Sequence, residues 1–281
     1  MRKTGSVSVD IVAKTGKWIV LGFFLAFTFV PLLWLLVTSF KTDLELLTRP
    51  FSLPKEWKIQ NYIKAFQLSD LHLLFLHSII VSFLSTGLNI LVASMAAFVL
   101  SRFNFRLKNV ILTVILAGVL VPIIALMIPY FKLIKSMGLY DSLLALIITY
   151  AAINLPISVF LLHGFMAGIP RELEEAGIID GCSFFQRYSR IIFPLSKLGV
   201  VTAGTFVFLQ SWNEFIYALL LTSSIKARTL QLGIRFFVSQ FRYDYTSMFA
   251  ALVVTIIPSI MVYIFFHEKI IQGLTSGALK G

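Results

Sequence analysis

Four side chains that can hydrogen-bond or stack lie together in an apolar stretch of the sequence: Gln210, Trp212, Asn213 and Glu214. Gln210, Asn213 and Glu214 are spaced i, i+3 and i+4, so a helix would place them on one face. Amide and carboxylate groups can bind hydroxyls, and an indole can stack on the apolar face of a polyhydroxylated molecule. The group therefore indicates a path for such a molecule. A polar network that only joins helices is the alternative, since an intramembrane carboxylate needs a partner.

The sequence lacks the side-chain patterns of an enzyme or a metal protein. The four histidines, His72, His77, His163 and His267, are not spaced as metal ligands, and no Ser/His/Asp arrangement is evident. No segment follows the nucleotide-binding pattern G-x-x-x-x-G-K-S/T. We therefore expect no catalytic residue, no metal ion and no cofactor in this chain, and any ATP must be hydrolysed by another subunit.

The composition is that of an integral membrane protein. The 281 residues are 58% hydrophobic and 13% charged, with a mean hydropathy of +0.89, which exceeds what a water-soluble chain of this length shows. The net charge of +11 is spread singly between apolar runs, which argues against nucleic acid as a partner. A single cysteine, Cys182, excludes an internal disulfide.

Six apolar segments are long enough to cross a hydrocarbon core of ~30 Å as helices. They lie near Lys17 to Thr38, Leu73 to Leu100, Val110 to Tyr130, Leu143 to Met166, Leu198 to Leu221, and Met248 to Phe266. The first is longer than the apolar part of a signal peptide, so we expect it to remain as a span. The fold class predicted is all-α, a polytopic membrane protein with six transmembrane helices.

The basic residues orient these spans. The connection at residues 101–109 carries Arg102, Arg106 and Lys108, and short basic connections favour the cytoplasmic side. Both termini are therefore expected in the cytoplasm. The chain then divides into residues 1–72, with the first span and an outer loop, a core at 73–267, and a cytoplasmic tail at 268–281.

A polar stretch at residues 170–194 separates the fourth and fifth predicted spans and must lie at a membrane surface. Pro170 suits a first helical position, and three glutamates follow in the first turn, where negative charge complements the helix dipole. Leu173, Ala176 and Gly177 are spaced i, i+3 and i+4 and form a narrow face that another protein can approach closely.

A turn and a second helix complete this stretch. Asp180 and Gly181 predict the turn, and Pro194 is expected to end the second helix. Residues at i, i+4, i+7 and i+8 give that helix one apolar stripe: Phe184, Tyr188, Ile191 and Ile192. We expect the stripe to contact protein or lipid.

The spacing resembles the EAA loop of the membrane subunits of binding-protein-dependent ABC importers, which reads Glu-Ala-Ala, three residues, Gly, nine residues, Ile-x-Leu-Pro. The matching positions here are Glu175-Ala176-Gly177, Gly181, Ile191 and Phe193-Pro194. Gly177 stands for the second alanine, and Phe193 stands for leucine. Further stretches are similar to the carbohydrate branch of these permeases: Gly138 to Ser142, Trp212 to Phe215, Met248 through Pro258, and the tail from Gly273 to Gly281.

The resemblance implies a type I ABC importer permease fold and transport of a sugar, oligosaccharide or polyol across the cell (inner) membrane. Its implied partners are a second homologous permease subunit, two ATPase subunits that bind ATP and Mg, an extracytoplasmic solute-binding protein and the lipid bilayer. It also implies that one set of residues docks to an ATPase subunit: Leu173, Glu175, Ala176, Gly177, Asp180 and Gly181.

Two alternatives stay open at this stage. One is an ABC permease for another small solute, such as glycerol phosphate. The other belongs to a different class, a self-contained porter or channel, which copurification of an ATPase subunit would exclude. The sequence also predicts that a Gly-x-x-x-Gly pattern at Gly164 and Gly168 allows close helix approach and that prolines kink several spans.

Overall fold

The computed structural model describes residues 4–68, 70–234 and 244–278, with side chains in 14–67, 70–234 and 244–273. All regular structure in these ranges is helical. The helices are α1 (Thr4–Thr38), α2 (Asp43–Thr48), α3 (Gln60–Leu68), α4 (Leu71–Arg102), α5 (Lys108–Ala117), α6 (Met127–Ser136), α7 (Leu143–Ile153), α8 (Leu155–Ala167), α9 (Glu172–Ile179), α10 (Phe184–Leu195), α11 (Lys197–Asn213), α12 (Ile216–Leu221) and α13 (Tyr245–Ala278). Two 3₁₀ turns, Gly118–Leu120 and Ile123–Leu126, lie between α5 and α6, and α10 is π-helical at Arg187–Ile192.

Three described helices, α1, α4 and α13, are long and apolar enough to cross a membrane singly. Three bent pairs also qualify when each pair is taken as one span: Lys108–Leu120 with Ile123–Ser136, bent by 103°; α7 with α8, bent by 48°; and α10 with α11, bent by 78°. Counting each pair once gives six candidate spans. The predicted all-α polytopic fold is therefore confirmed.

Proline explains two of the bends. Pro122 lies between the two 3₁₀ turns of the 103° bend. Pro156 occupies the first turn of α8, where a backbone N–H would have no intrahelical acceptor, so the absence of that N–H in proline costs no hydrogen bond. Pro31 and Pro258 lie inside the continuous helices α1 and α13, and Pro129 lies in the first turn of α6. The predicted kinks thus occur at only some of the prolines.

The predicted fifth span, residues 198–221, is not one continuous helix. α11 ends at Asn213, Glu214 has an extended backbone (φ −71°, ψ 128°), and α12 begins at Ile216. The prediction that Gln210, Asn213 and Glu214 share one helix face is therefore wrong at Glu214. At the other end of the chain, α13 continues to Ala278, so the predicted tail that begins at residue 268 is helical as far as that position.

The chain forms two compact units. The first contains residues 1–69 and 237–254, and the second contains residues 70–236 and 255–281. In the first unit, every described side chain from 14 to 33 in α1 is exposed. An apolar helix surface of this kind requires lipid or another protein to cover it.

Hydrogen bonds to backbone carbonyls organise the segment that follows α1 in the first unit. Asn61 Nδ2 donates to the carbonyls of Ser39 at 2.8 Å and Lys41 at 2.7 Å. The fully buried Lys41 donates from Nζ to the carbonyls of Arg49 at 3.1 Å and Pro50 at 2.8 Å. These bonds hold α2 and the start of α3 close to the end of α1.

In the second unit α4 is the central helix, since it packs against α7, α8 and α11. Two apolar cores lie along it. One includes Val81 of α4 with Tyr150 and Tyr217, and the other includes Phe98 of α4 with Leu162. A displacement of α4 would therefore disturb both cores.

Candidate functional site

The EAA loop, residues 170–194, folds as the two short helices α9 and α10. Gly181 ends α9 in the left-handed region (φ +76°), which glycine adopts without strain. Its N–H donates to the carbonyl of Ile178 at 3.0 Å, and the N–H of Cys182 donates to that of Gly177 at 2.8 Å. This is the Schellman pattern of a helix C-terminus, and it confirms the predicted turn. α9 begins at Glu172, two residues after the start predicted at Pro170.

Reciprocal capping starts α10. The N–H of Gln186 donates to Ser183 Oγ at 3.3 Å, and the N–H of Ser183 donates to Gln186 Oε1 at 2.8 Å. Tyr188 and Ile192 of the predicted stripe are buried, and the Tyr188 hydroxyl hydrogen-bonds Ser94 Oγ of α4 at 2.7 Å. The stripe therefore contacts protein, and it fixes α10 against α4.

Most of the predicted docking residues lie on the outside of α9 and its C-terminal turn. The exposed ones are Leu173, Glu175, Ala176, Asp180 and Gly181. Gly177 is buried, and a Cβ there would lie 2.4 Å from Ile191 Cδ1 of the same chain. The prediction that Leu173, Ala176 and Gly177 form one exposed face is therefore wrong for Gly177, which faces α10.

Sequence reasoning missed three residues of this loop. Ile178 and Ile179 are 54% and 85% exposed, so α9 presents an apolar pair beside Glu175. Two adjacent isoleucines in an acidic helix were the available signal. Glu174, treated as one of three charges in the first turn, is buried and ion-paired with two arginines.

The indole of Trp212 lies inside the second unit. It is 1% exposed, and Nε1 donates to the carbonyl of Thr255 at 3.1 Å. The ring of Phe75 meets it edge-on at 5.6 Å, and Phe208 stacks on it at 6.2 Å. The structure therefore does not bring Trp212 to a surface where a solute could stack on it.

Glu214 caps a helix. Its Oε1 accepts from the N–H of Tyr217 at 2.7 Å, and its Oε2 accepts from the N–H of Ala218 at 3.0 Å. Both N–H groups belong to the first turn of α12, where no intrahelical carbonyl can satisfy them. A carboxylate at the N-terminus also complements the helix dipole. This geometry matches the alternative in which the polar group joins helices.

The remaining polar residues form a neutral surface. Gln210 and Asn213 are exposed, and Gln231 Nε2 donates to Asn213 Oδ1 at 3.4 Å. Asn213 Nδ2 donates to the carbonyl of Leu209 at 2.8 Å. Gln231 follows Asn213 only after a further helix and a connection, so helical spacing could not predict this pair. The structure thus supplies amides for hydrogen bonding to a solute.

A carboxylate also organises the connection between α6 and α7. Asp141 Oδ1 accepts from the N–H groups of Ser223 at 2.8 Å and Ser224 at 2.9 Å. Burial alone would raise the pKa of Asp141, but these backbone bonds outweigh it and lower the pKa to about 2. The bonds tie this connection to the segment that follows α12.

The Asp141 interaction predicts a pH dependence of stability. Because its pKa is lowered in the folded chain, its contribution is present above the ordinary carboxyl pKa of about 4 and is lost as the pH falls toward 2. We expect Asp141→Asn to lower stability by roughly 1 kcal/mol near neutral pH. Thermal unfolding of both chains should show this difference shrinking only below about pH 4. A difference that disappears already at mildly acidic pH would contradict the assignment.

The described residues contain no cluster of three or more His, Cys, Asp or Glu side chains that could hold a metal ion.

Comparison with known proteins agrees with this architecture of membrane spans and a two-helix loop. Residues 89–275 match the family of binding-protein-dependent transport system inner membrane components, and the chain belongs to that family. It is therefore a multi-pass permease component of an ABC importer. The predicted family is confirmed, and so is the expectation that the chain is not an enzyme, since these components transport solutes.

Relatives of known type cover nearly the whole chain. It is 38% identical over 252 residues to the sulfoquinovosyl glycerol transport system permease protein SmoH of Agrobacterium fabrum, covering 89% of this chain and 88% of that protein. It is 34% identical over 256 residues to the trehalose/maltose transport system permease protein MalG of Thermococcus litoralis, covering 89% and 91%. Its fold is similar to a chain of a bacterial ABC transporter that imports alginate, with a TM-score of 0.81, 20% identity and coverage of 95% and 98%.

Proposed function

We propose that this chain is one of two homologous membrane subunits of an ABC importer for a neutral sugar, oligosaccharide or polyol. The observation that carries the substrate class is the neutral amide surface of Gln210, Asn213 and Gln231. Amides bind hydroxyls without requiring a charge on the solute. The half-buried Glu214 carboxylate keeps its negative charge although both of its oxygens accept backbone hydrogen bonds, and this charge disfavours an anionic solute.

The relatives support a carbohydrate. Their names assign sulfoquinovosyl glycerol, trehalose/maltose and, in Streptomyces coelicolor, diacetylchitobiose as the transported solutes. Sulfoquinovosyl glycerol carries a sulfonate and the other solutes are neutral, so the relatives support a carbohydrate, and its neutral charge rests on the amide surface and the Glu214 carboxylate alone. In the importer proposed here, an extracytoplasmic solute-binding protein delivers the solute. The two permeases carry it past Gln210 and Asn213, and two ATPase subunits supply the energy by binding and hydrolysing ATP with Mg.

The EAA loop is the proposed contact with an ATPase subunit. Leu173, Ala176, Ile178 and Ile179 expose apolar surface beside the Glu175 carboxylate. An apolar surface beside an exposed carboxylate suits a cleft that contains a basic residue. An ATPase lies in the cytosol, so this assignment places the loop and both chain termini on the cytoplasmic side.

Uptake by the assembled importer in proteoliposomes tests the substrate class. Neutral di- and oligosaccharides should stimulate ATP hydrolysis and enter the vesicles, whereas glycerol phosphate should not compete with them. Uptake of glycerol phosphate in preference to every neutral sugar would favour the alternative solute. Solute uptake by the chain alone, with no copurifying ATPase, would instead identify a self-contained porter or channel.

The docking assignment predicts a loss of coupling from one exposed charge. Glu175→Lys places a cation against the basic cleft, and we expect solute-stimulated ATP hydrolysis to fall at least about tenfold. The chain should still insert and fold, because Glu175 is exposed. Glu172→Lys is the matched control, since Glu172 is exposed in the first turn of the same helix. Normal stimulation in the Glu175→Lys importer would refute the docking assignment.

A further inference from the structure

A buried carboxylate joins two arginines on the inner side of the EAA loop. Arg187 Nη1 donates to Glu174 Oε1 at 3.0 Å, and Arg102 Nε lies 3.4 Å from Glu174 Oε2. The side chains of Glu174 and Arg102 are only 10% and 2% exposed. Arg102 Nη1 also donates to the carbonyl of Ile169 at 2.9 Å. These contacts connect the last residue of α4, the segment after α8, α9 and α10.

Two aromatic rings flank Arg187. The guanidinium of Arg187 lies 5.5 Å from the ring centre of Phe103 and 6.0 Å from that of Phe184. Phe98 of α4 contacts both of these rings, at 5.5 and 5.3 Å. The rings attract the cation of Arg187, whose side chain is 16% exposed, and the burial of Arg102 and Glu174 places the ion pairs in a medium less polar than water. A change in any one of these charges is therefore poorly screened.

The cluster carries one excess positive charge, because two guanidinium groups share one carboxylate. A buried ion pair adds little net stability, but removing one partner is costly since the other stays uncompensated. Loss of Glu174 leaves the guanidinium groups of Arg102 and Arg187 without their shared counter-charge. Loss of Arg187 leaves a matched pair of Arg102 and Glu174. The arrangement is therefore much more sensitive to Glu174 than to Arg187, and it fixes the position of the loop more than it stabilises the chain.

We propose that Glu174 is a positioning residue that locks α9 and α10 to the end of α4, so that the EAA loop and α4 move as one body. Movement imposed on the exposed face of α9 then reaches the two apolar cores along α4 and is not absorbed by the turn at Gly181. The proposal rests on the proposed function for the source of that movement. The lock itself, formed by Glu174, Arg102 and Arg187, does not depend on the proposed function.

Cys182 provides a native reporter of the lock. It is the only cysteine of the chain, it is half-buried, and it lies in the turn between α9 and α10. Glu174→Gln keeps the shape of the side chain and removes its charge. In the membrane-embedded importer we expect this variant to raise the rate of maleimide labelling of Cys182 about tenfold, because the loop opens locally more often.

A second measurement tests whether movement of the EAA loop still drives solute import. We expect Glu174→Gln to lower the solute imported per ATP hydrolysed at least about threefold while hydrolysis continues. Glu172→Gln is the matched control, an exposed carboxylate of the same helix, and should match the wild type in both readouts. Wild-type labelling and wild-type coupling in Glu174→Gln would overturn the proposal.

The variant Arg187→Gln tests the proposal even if the Glu174→Gln importer fails to assemble. Arg187→Gln should raise Cys182 labelling only about threefold, since it leaves a matched pair. The double variant Glu174→Gln, Arg187→Gln should label more slowly than Glu174→Gln alone, because one excess cation is removed. Unchanged labelling in Arg187→Gln, or effects that simply multiply in the double variant, would overturn the lock.

These measurements distinguish failure of the proposed function from failure of the lock. Without an ATPase partner, the readouts that depend on ATP would be lost in every variant, including the wild type, while Cys182 labelling would still report on the lock. With the partner present, Glu175→Lys should lower the stimulation of hydrolysis by solute, whereas Glu174→Gln should keep hydrolysis and import less solute for each ATP.

Discussion

Glu214→Ala is expected to lower the stability of the chain by roughly 3 kcal/mol, the combined cost of leaving two backbone N–H groups without acceptors in an apolar region. The carboxylate accepts from Tyr217 and Ala218, which begin α12 immediately after the break in the span. Without it the first turn of α12 loses its cap, and Tyr217, which is fully buried, loses the backbone position that packs its ring. The yield of folded chain from membranes should fall several-fold.

Two further variants decide between capping and solute binding at this position. Glu214→Gln keeps one acceptor oxygen and loses the other, so its yield and unfolding temperature should lie between those of the wild type and Glu214→Ala. Gln210→Ala, exposed one turn earlier, should keep the wild-type yield. A Glu214→Gln importer with wild-type yield and an altered solute preference would instead assign this carboxylate to the solute path.

The helical architecture was predictable because long apolar runs leave few alternatives in a membrane. The turn between α9 and α10 was predictable for a local reason, since Asp180-Gly181 breaks a helix and Gly181 tolerates a positive φ. The capping of α10 is equally local, because Ser183 and Gln186 have the spacing of a capping box.

The roles of the intramembrane polar residues were not predictable from spacing. Hydropathy measures composition and not backbone continuity, so it could not place the break at Glu214. The i, i+3, i+4 pattern assumed that one helix includes Glu214, but α11 ends one residue earlier, at Asn213. Trp212 could stack on a solute only if it were exposed, and its burial depends on Phe75 and Thr255, which come from other helices.

The same limit applies to Glu174 and Glu175. In sequence they are adjacent and chemically identical, and helical periodicity alone gives each of them a first-turn position. Only the approach of Arg102, from the end of α4, makes one of them buried and leaves the other exposed. Packing between residues distant in sequence therefore decides that Glu174 forms the proposed lock and that Glu175 is the proposed docking charge.

Gly199→Ala is expected to destabilise the contact between α8 and α11. A Cβ at this position would lie 2.6 Å from both Cγ and Cδ2 of Phe165 and 2.9 Å from its Cβ. The Cβ of Phe165 is fixed to the backbone of α8, so a rotation of the ring cannot remove the overlap and the helices must separate. Overpacking of this kind costs typically 1–3 kcal/mol, which outweighs the gain of up to about 1 kcal/mol that alanine brings to a helix.

Gly164→Ala is the matched control for this prediction, because it lies in α8 with no atom within 4 Å of the added carbon. Its unfolding temperature in the purified chain should equal or exceed that of the wild type, since only the helix propensity changes. The predicted close approach at the Gly-x-x-x-Gly pattern is thus not made by Gly164 within the described chain, and Gly199 makes one instead. Phe165→Ala should partly rescue Gly199→Ala, because it removes Cγ and Cδ2 from the overlap and leaves only the contact with Cβ. If Gly199→Ala unfolds like the wild type, or if Phe165→Ala destabilises the Gly199→Ala chain as much as it destabilises the wild type, then α8 and α11 do not meet as tightly as these distances require.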